Sequence, residues 1–195
     1  MPENQHEHYF AHLNRISFLG KIYKRYFASQ VTYYFARRFG NKIAEIGSGT
    51  GNGILGAYPS RVTGFEINPL AVNFCKKNNL NVHLIYEEKP YPAQNGEFDV
   101  CVLDNVLEHI SSPAPVLNEC VRITNEKAGL VIVVPGEKGF SRDSDHKVHY
   151  DEMNLENLSE HWQHLKTISM PFLIKSSFLS KHVSQYCLVA VYKKR

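Results

Sequence analysis

The sequence of 195 residues has no apolar run that is long enough to cross a membrane. A membrane-spanning helix needs about 20 predominantly apolar residues, and runs such as residues 129–134 are far shorter. The first residues include His, Glu and Asn, whereas a secretory signal has a cationic start followed by an apolar centre. We therefore expect a soluble protein of the cytoplasm.

Cysteine is scarce and the net charge is small. The cysteines Cys75, Cys101, Cys120 and Cys187 form no Cys-x-x-Cys pair, which predicts reduced packing residues and no structural zinc site. The formal net charge of +3 is too low to indicate nucleic-acid binding by itself. We accordingly expect no nucleic-acid partner.

Glycine, in contrast, is concentrated in residues 47–53, directly after a short apolar run. Glycine has no Cβ, so the backbone there can adopt a positive φ and approach a ligand closely. The acidic residue Glu66 follows the next apolar run, and its two oxygens can accept hydrogen bonds from both hydroxyls of a ribose. A tight loop and a solvated acid would be the simpler interpretation, but the combination at this spacing favours a nucleoside cofactor.

The register of the glycines narrows the choice of nucleoside. A dinucleotide site requires Gly-x-Gly-x-x-Gly, but Asn52 stands at the last position when the motif starts at Gly47, and Ile54 when it starts at Gly49. A phosphate loop of the Gly-x-x-x-x-Gly-Lys type would need a lysine after these glycines, and none follows. The sequence therefore disfavours NAD and ATP.

Three sequence segments follow one another along the chain in the same order as the motifs of one large enzyme family. Glu45 precedes the run Gly47-x-Gly49-x-Gly51, residues 98–110 contain Leu107-Glu108-His109, and residues 129–135 form an apolar run that ends in proline. Over residues 42 to 136 the chain resembles the class I S-adenosylmethionine-dependent methyltransferases, in particular the ubiquinone and menaquinone-biosynthesis type. The resemblance implies S-adenosylmethionine as cofactor and S-adenosylhomocysteine as product.

The resemblance also implies which residues hold this cofactor. Glu45 and the loop Gly47, Ser48, Gly49 and Gly51 would hold the methionine moiety, and Glu66 with Ile67 the ribose. Asp104 and Asn105 would line the cofactor after the fourth strand. For Glu45 and Asp104, capping of backbone amides at strand ends is the alternative. Either Glu87 or Glu88 would reach the adenine, although the family's acidic residue directly follows the third strand and these two lie further along.

Alternating strand-like and helical patterns from residue 42 onward predict a parallel sheet covered on both faces. Strands are predicted near residues 43–46, 61–66, 82–86, 98–104, 129–134, 165–170 and 185–192. With the resemblance, this predicts an α/β, Rossmann-like class I methyltransferase fold with a seven-stranded, mostly parallel sheet. We expect an N-terminal helical cap over residues 1–40 and a methyltransferase domain over residues 41–195, together forming one compact domain.

The N-terminal segment combines aromatic and apolar residues at helical spacing with a basic opposite face. The commoner outcome is a solvated basic face on a helix that packs on its own domain, and peripheral contact with an anionic membrane is the alternative. Because N-terminal helices cap the substrate pocket in similar enzymes, Tyr9, Phe10 and Tyr23 are predicted substrate contacts, as is Tyr150. Such a lid suits an aromatic or lipid-like acceptor.

Three histidines and Tyr150 are candidates for acid–base chemistry, because an oxygen acceptor loses its proton when it is methylated and imidazole titrates near neutral pH. His109 follows the fourth predicted strand, and His146 and His149 lie in a polar loop after the fifth. Each could instead be a surface or packing residue. The spacing of the histidines and neighbouring aspartates matches no established metal site, so we predict none.

The predicted function is methyl transfer to a small-molecule acceptor, most readily on oxygen, with carbon and nitrogen as alternatives. A non-catalytic protein that binds S-adenosylmethionine or a partner is the second hypothesis. An RNA methyltransferase is the third, and it is weakened because Asp104-Asn105-Val106-Leu107 stands where an Asn-Pro-Pro-Tyr motif would be expected.

Overall fold

The computed structural model describes Glu7 and residues 22–87, 89–171 and 174–195. Seven strands form one sheet in the order β3-β2-β1-β4-β5-β7-β6. The strands are β1 Ile43–Ile46, β2 Val62–Glu66, β3 Val82–Leu84, β4 Phe98–Asp104, β5 Thr124–Pro135, β6 Trp162–Met170 and β7 Cys187–Lys194. Strands β1 to β5 pair in parallel, and β7 is antiparallel to both of its neighbours. The predicted seven-stranded, mostly parallel sheet is confirmed.

Helical segments connect the strands. They are a π-helix at Lys24–Ala28 followed by α1 Ser29–Ala36, α2 Ile54–Ala57, α3 Pro69–Lys77, a 3₁₀ turn at Leu107–His109, α4 Ala114–Ile123, α5 Glu137–Phe140, α6 Glu152–Glu156 and α7 Ser177–His182. The start of α3 is fixed by Asn68, whose side-chain oxygen accepts hydrogen bonds from the amides of Leu70 and Ala71, while Pro69 occupies the first helical position.

The sheet is buried on both faces, which explains why its central strands are apolar at nearly every position. In β4, Val100 and Val102 face the core that contains α1, α2 and α3, whereas Cys101 and Leu103 face the core under α4. Strand β5 alternates in the same way. Among the described residues, the two layers of helices cover the faces of the central strands and leave the strand ends accessible for a ligand.

Glu7 and residues 22–40 of the predicted N-terminal cap, which was expected over residues 1–40, belong to the described part of the chain. Phe35 and Ala36 are buried against the sheet together with Ile43, so α1 serves as one of the covering helices. Tyr9 and Phe10 lie outside the described residues. Among the described residues, no helix is long and apolar enough to span a membrane.

Candidate active site

The site lies where the sheet topology reverses. After β1 the chain continues to β2 on one side, whereas β4 lies on the other side of β1 and continues to β5. Ligands bind beyond the carboxyl ends of the strands at such a point. An open cavity of about 320 Å³ is present there. It is lined by Lys24, Glu45, residues 47–50, Asn52, Gly53, Asp104, Asn105, His109, Asp143 and His146.

The glycine-rich loop after β1 forms one wall of this cavity. Gly47, Gly49 and Gly51 have φ angles of 69°, 54° and 76°, a left-handed conformation that is costly for residues with a Cβ. At Gly47 a Cβ would also lie 2.6 Å from Cγ2 of Val106. The loop therefore packs directly against the segment that leads to His109.

Two buried carboxylates hold the glycine-rich loop in place through hydrogen bonds to backbone amides. Glu45 accepts hydrogen bonds from the amides of Ile54 and Leu55 at 3.2 and 2.8 Å, and Glu66 accepts from those of Gly49 and Asn68 at 2.7 and 2.8 Å. Each residue is only 2% exposed. Glu45 still borders the cavity, whereas Glu66 is not among the residues that line it. Their contacts in this structure are thus with backbone amides.

Burial, together with the nearby Asp104 carboxylate, raises the pKa of Glu45 to about 7, although the two amides act in the opposite direction. The ordinary pKa of a glutamate is 4.5. At pH values between 4.5 and about 7, Glu45 therefore holds a proton in the folded chain that it has released in the unfolded chain. The free energy of unfolding must therefore fall as the pH rises through this window.

We expect Glu45 to contribute about 3 kcal/mol to this decline, so the decline should be smaller by that amount in Glu45→Gln. The part that remains in this variant comes from Glu66 and Glu108, whose pKa values are also raised by burial. Urea unfolding at several pH values measures it. Glu160→Gln is the control, because the Glu160 side chain is 85% exposed, and it should keep the wild-type pH dependence. Equal slopes in wild type and Glu45→Gln would contradict the prediction.

A cationic side chain, that of Lys24, also lines the cavity. Lys24 Nζ lies 3.5 Å from Oδ2 of Asp104, and the Asp104 carboxylate raises the pKa of this lysine. Asp104 Oδ1 also accepts a hydrogen bond from the side-chain amide of Asn105 at 2.7 Å. Sequence reasoning placed Asp104 and Asn105 correctly at the end of β4 but treated Lys24 only as part of a basic face.

The opposite wall carries the two histidines His109 and His146. Their ring centroids are 4.6 Å apart, and Nδ1 of His146 hydrogen-bonds the carbonyl oxygen of Phe140 at 2.8 Å. Burial lowers the pKa of His109, and proximity to His146 lowers it further. The third candidate, His149, is exposed, packs edge-on against Phe140 and is not among the cavity residues.

Glu108, to which sequence reasoning gave no role, adjoins His109 and His146 but is not among the residues that line the cavity. Its side chain is 1% exposed, and neither carboxylate oxygen has a hydrogen-bond partner among the described residues. Burial raises its pKa to about 8. Nε2 of His146 lies 3.9 Å from Oε1 of Glu108 and 3.8 Å from Oδ2 of Asp143. The signal available in the sequence was the position of Glu108 directly before His109.

The remaining predicted site residues lie around this centre. Tyr23 is half-buried beside Lys24, and its hydroxyl has no hydrogen-bond partner among the described residues. Tyr150 is buried in the core under α4, Ile67 packs against the same core, and Glu87 is exposed in a turn after β3. None of these four lines the cavity. Glu88 lies outside the described residues.

Comparisons with known proteins bear on this arrangement. A family model described as a methyltransferase domain matches residues 44–132, and no curated protein matches the chain. The chain is similar to a chain in the complex between the Haloferax volcanii Trm112 methyltransferase activator and the putative methyltransferase. The identity is 10%, the TM-score is 0.75, and the alignment covers 100% of this chain and 97% of that chain.

Two further solved structures are similar. One is a SAM-dependent methyltransferase from Aquifex aeolicus, with 17% identity and a TM-score of 0.67. The alignment covers 95% of the present chain and 98% of the Aquifex chain. The other is the N-methyltransferase NodS from Bradyrhizobium japonicum in complex with S-adenosyl-L-homocysteine, with 16% identity and a TM-score of 0.63. The alignment covers 86% of the present chain and 85% of the NodS chain. The likeness confirms the predicted fold, while the roles of individual residues stay predictions.

Proposed function

We propose that the chain, whose residues 44–132 match the methyltransferase-domain family model and whose fold is that of class I methyltransferases, uses S-adenosylmethionine to methylate a hydroxyl oxygen of a small-molecule acceptor. The observation that carries this proposal is the shared cavity, in which the glycine-rich loop faces His109 and His146. Cofactor-binding backbone and groups able to accept a proton thus border the same space.

The residues around the cavity suit the cofactor. S-adenosylmethionine supplies an electrophilic methyl group on a sulfonium, whose leaving thioether is neutral. The ammonium of Lys24 fits the carboxylate of its methionine part, and the Asp104 carboxylate fits the ammonium. The loop at Gly47 leaves room for a close approach of the ligand. The contact of Glu66 with the ribose stays a prediction, because its carboxylate accepts backbone hydrogen bonds and does not line the cavity.

The chain itself contributes mainly alignment, because methyl transfer from a sulfonium needs little covalent assistance. Lys24 and Asp104 hold the amino-acid end of the cofactor, and the loop fixes its position relative to β4. His109 takes the proton from the acceptor hydroxyl at a ring nitrogen. The lowered pKa of His109 keeps this imidazole uncharged, and therefore able to accept a proton, at neutral pH.

The described residues of the predicted N-terminal cap, from Ile22 onward, support the proposal of an apolar acceptor. Tyr23 stacks on Phe27 at a centroid distance of 5.5 Å next to Lys24, and Ile22, Tyr26 and Phe27 are exposed at this end of the π-helix. None of these four side chains lines the cavity, but they adjoin Lys24, which does, and apolar side chains near a few polar groups are typical of small-molecule sites. We therefore propose an aromatic or lipid-like acceptor that enters between the π-helix and His109.

Binding and turnover assays test this proposal together. Calorimetric titration should show S-adenosylhomocysteine binding and no response to NAD. Methyl transfer from labelled S-adenosylmethionine is then measured on phenols, hydroxylated lipids, amines and total RNA. We expect labelled methyl ethers from the phenols or hydroxylated lipids. Labelled RNA would favour the nucleic-acid hypothesis, and cofactor binding without transfer to any acceptor would favour the non-catalytic one.

A further inference from the structure

We propose that Glu108, His109 and His146, assisted by Asp143, bind one divalent transition-metal ion that activates the acceptor. The inference rests on the proposed function, because it assigns the ion to the same cavity, and it deepens that function by naming how the hydroxyl is made reactive. Nitrogen and oxygen ligand atoms of Glu108, His109 and His146 all lie within 4.8 Å of one another.

The first observation is the carboxylate of Glu108. It is 1% exposed, and neither oxygen has a hydrogen-bond partner among the described residues. Burying an ionised carboxylate without compensation costs several kcal/mol, and native proteins avoid this cost by keeping the group protonated, by pairing the charge or by metal coordination. Glu108 points towards His146 and is therefore placed as a ligand rather than as a packing residue.

The second observation is the tautomer of His146. A carbonyl oxygen only accepts hydrogen bonds, so the contact of Nδ1 with the carbonyl of Phe140 at 2.8 Å places the proton on Nδ1. In the neutral ring the lone pair is then on Nε2, which is the atom directed at Glu108 and Asp143. A backbone carbonyl that fixes the ring in this way is the usual support of a metal-binding histidine.

The third observation is how the ligands are held together. The carbonyl oxygen of Glu108 accepts hydrogen bonds from the amides of Lys147 and Val148, at 2.6 and 3.1 Å. These bonds join the 3₁₀ turn that carries Glu108 and His109 to the loop that carries His146. The ligands come from two segments about 40 positions apart in the chain, yet their backbones are directly bonded, which pre-organises the site.

The distances suit an ion after a small adjustment. A cation about 2.1 Å from each of two ligands spans ligand atoms up to about 4.2 Å apart. Nε2 of His146 lies within that span of both Glu108 and Asp143, at 3.9 and 3.8 Å. The ligand atoms of Glu108, His109 and His146 all lie within 4.8 Å of one another, so rotation of a side chain is enough to bring them within that span.

The donor set indicates the kind of ion. Two imidazoles with carboxylates suit first-row transition ions such as Zn²⁺, Fe²⁺ or Mn²⁺, whereas Mg²⁺ and Ca²⁺ prefer oxygen ligands alone. Zn²⁺ should bind more tightly than Mn²⁺ in the same site. The alternative without a metal is an ion pair in which a protonated His146 neutralises Glu108.

Bound at this place, the ion takes over the activation of the acceptor. It coordinates the acceptor oxygen and lowers the pKa of the hydroxyl, so the proton is released to solvent. The oxygen lone pair then forms the bond to the methyl carbon as the carbon–sulfur bond breaks, and that electron pair stays on sulfur, which gives S-adenosylhomocysteine. His109 acts in this case as a ligand, and its lone pair binds the ion instead of the proton.

The test is calorimetric titration of the chelator-treated full chain with Zn²⁺ and, separately, with Mn²⁺. We expect one equivalent of each to bind. Glu108→Gln and His146→Ala should each weaken binding by more than about 100-fold, since even partners of metal ligands account for 10- to 100-fold. His161→Ala is the matched control, because this histidine side chain is half exposed and outside the cavity, and it should bind like wild type.

Equal metal binding in wild type, Glu108→Gln and His146→Ala, or no binding at all, would overturn the metal site. S-adenosylhomocysteine titration of the same samples separates this failure from a failure of the proposed function. If the chelated protein binds S-adenosylhomocysteine and methylates its acceptor at the full rate, only the metal proposal fails. If it binds no S-adenosylhomocysteine with or without metal, the proposed function fails.

Discussion

His109→Ala is expected to lower turnover of a hydroxyl acceptor by about 10²- to 10⁴-fold, the contribution typical of acid–base assistance. His109 borders the cavity opposite the glycine-rich loop, so its loss removes either the proton acceptor or a ligand of the proposed ion. The affinity for S-adenosylhomocysteine should hardly change, because the loop and Lys24 remain. Initial rates with labelled cofactor and calorimetry measure the two quantities.

His149→Ala is the matched control for this experiment. His149 belongs to the same loop as His146, but it is exposed and packs on Phe140 outside the cavity. Its removal should leave turnover close to the wild-type rate. If His109→Ala and His149→Ala both kept full turnover, alignment of the reactants alone would account for the reaction and the proposed role of His109 would be wrong.

The second large effect is expected for Glu66→Ala. The substitution leaves the buried amides of Gly49 and Asn68 without their acceptors, and at about 2 kcal/mol for each unsatisfied group the free energy of unfolding should fall by about 4 kcal/mol. The affinity for S-adenosylhomocysteine should fall as well, since the Gly49 backbone is no longer held in its left-handed conformation. Urea unfolding and calorimetry measure the two losses.

Glu66→Gln provides the comparison. The amide side chain keeps one acceptor oxygen and nearly the same shape, so it can satisfy one of the two backbone amides. We expect about half of the loss in unfolding free energy seen for Glu66→Ala. An affinity for S-adenosylhomocysteine that stays unchanged in Glu66→Ala would show that neither the loop anchor nor the ribose contact depends on this carboxylate.

Much of the fold could be predicted because its signals are local. Each central strand is a short apolar run followed by a turn, and the Asn68-Pro69 pair marks the start of α3 in the sequence itself. The extent of β5 was missed. The strand begins at Thr124, six positions before Leu130, and its first part carries the exposed residues Glu126 and Lys127. Pairing with β4 decides this extent, and pairing is not visible in the composition of one segment.

The site was predictable in its location but less so in its contacts. The glycine register and the strand ends identified the loop and Asp104, since ligand sites in this kind of sheet follow the strands. The pairing of Lys24 with Asp104 joins positions 80 residues apart. The burial of Glu108 depends on a loop some 40 residues further along the chain. Both contacts arise from tertiary packing, which no spacing rule within a segment describes.

The place of β7 in the sheet has a consequence for how the protein is made. The last strand of the chain lies between β5 and β6 and pairs with both. During synthesis from the N-terminus, β5 therefore presents an unpaired edge until residues 187–194 have emerged from the ribosome. Open edges rich in valine and isoleucine are prone to pair with other chains. The nascent chain is thus most vulnerable to aggregation in the interval before its final strand is inserted.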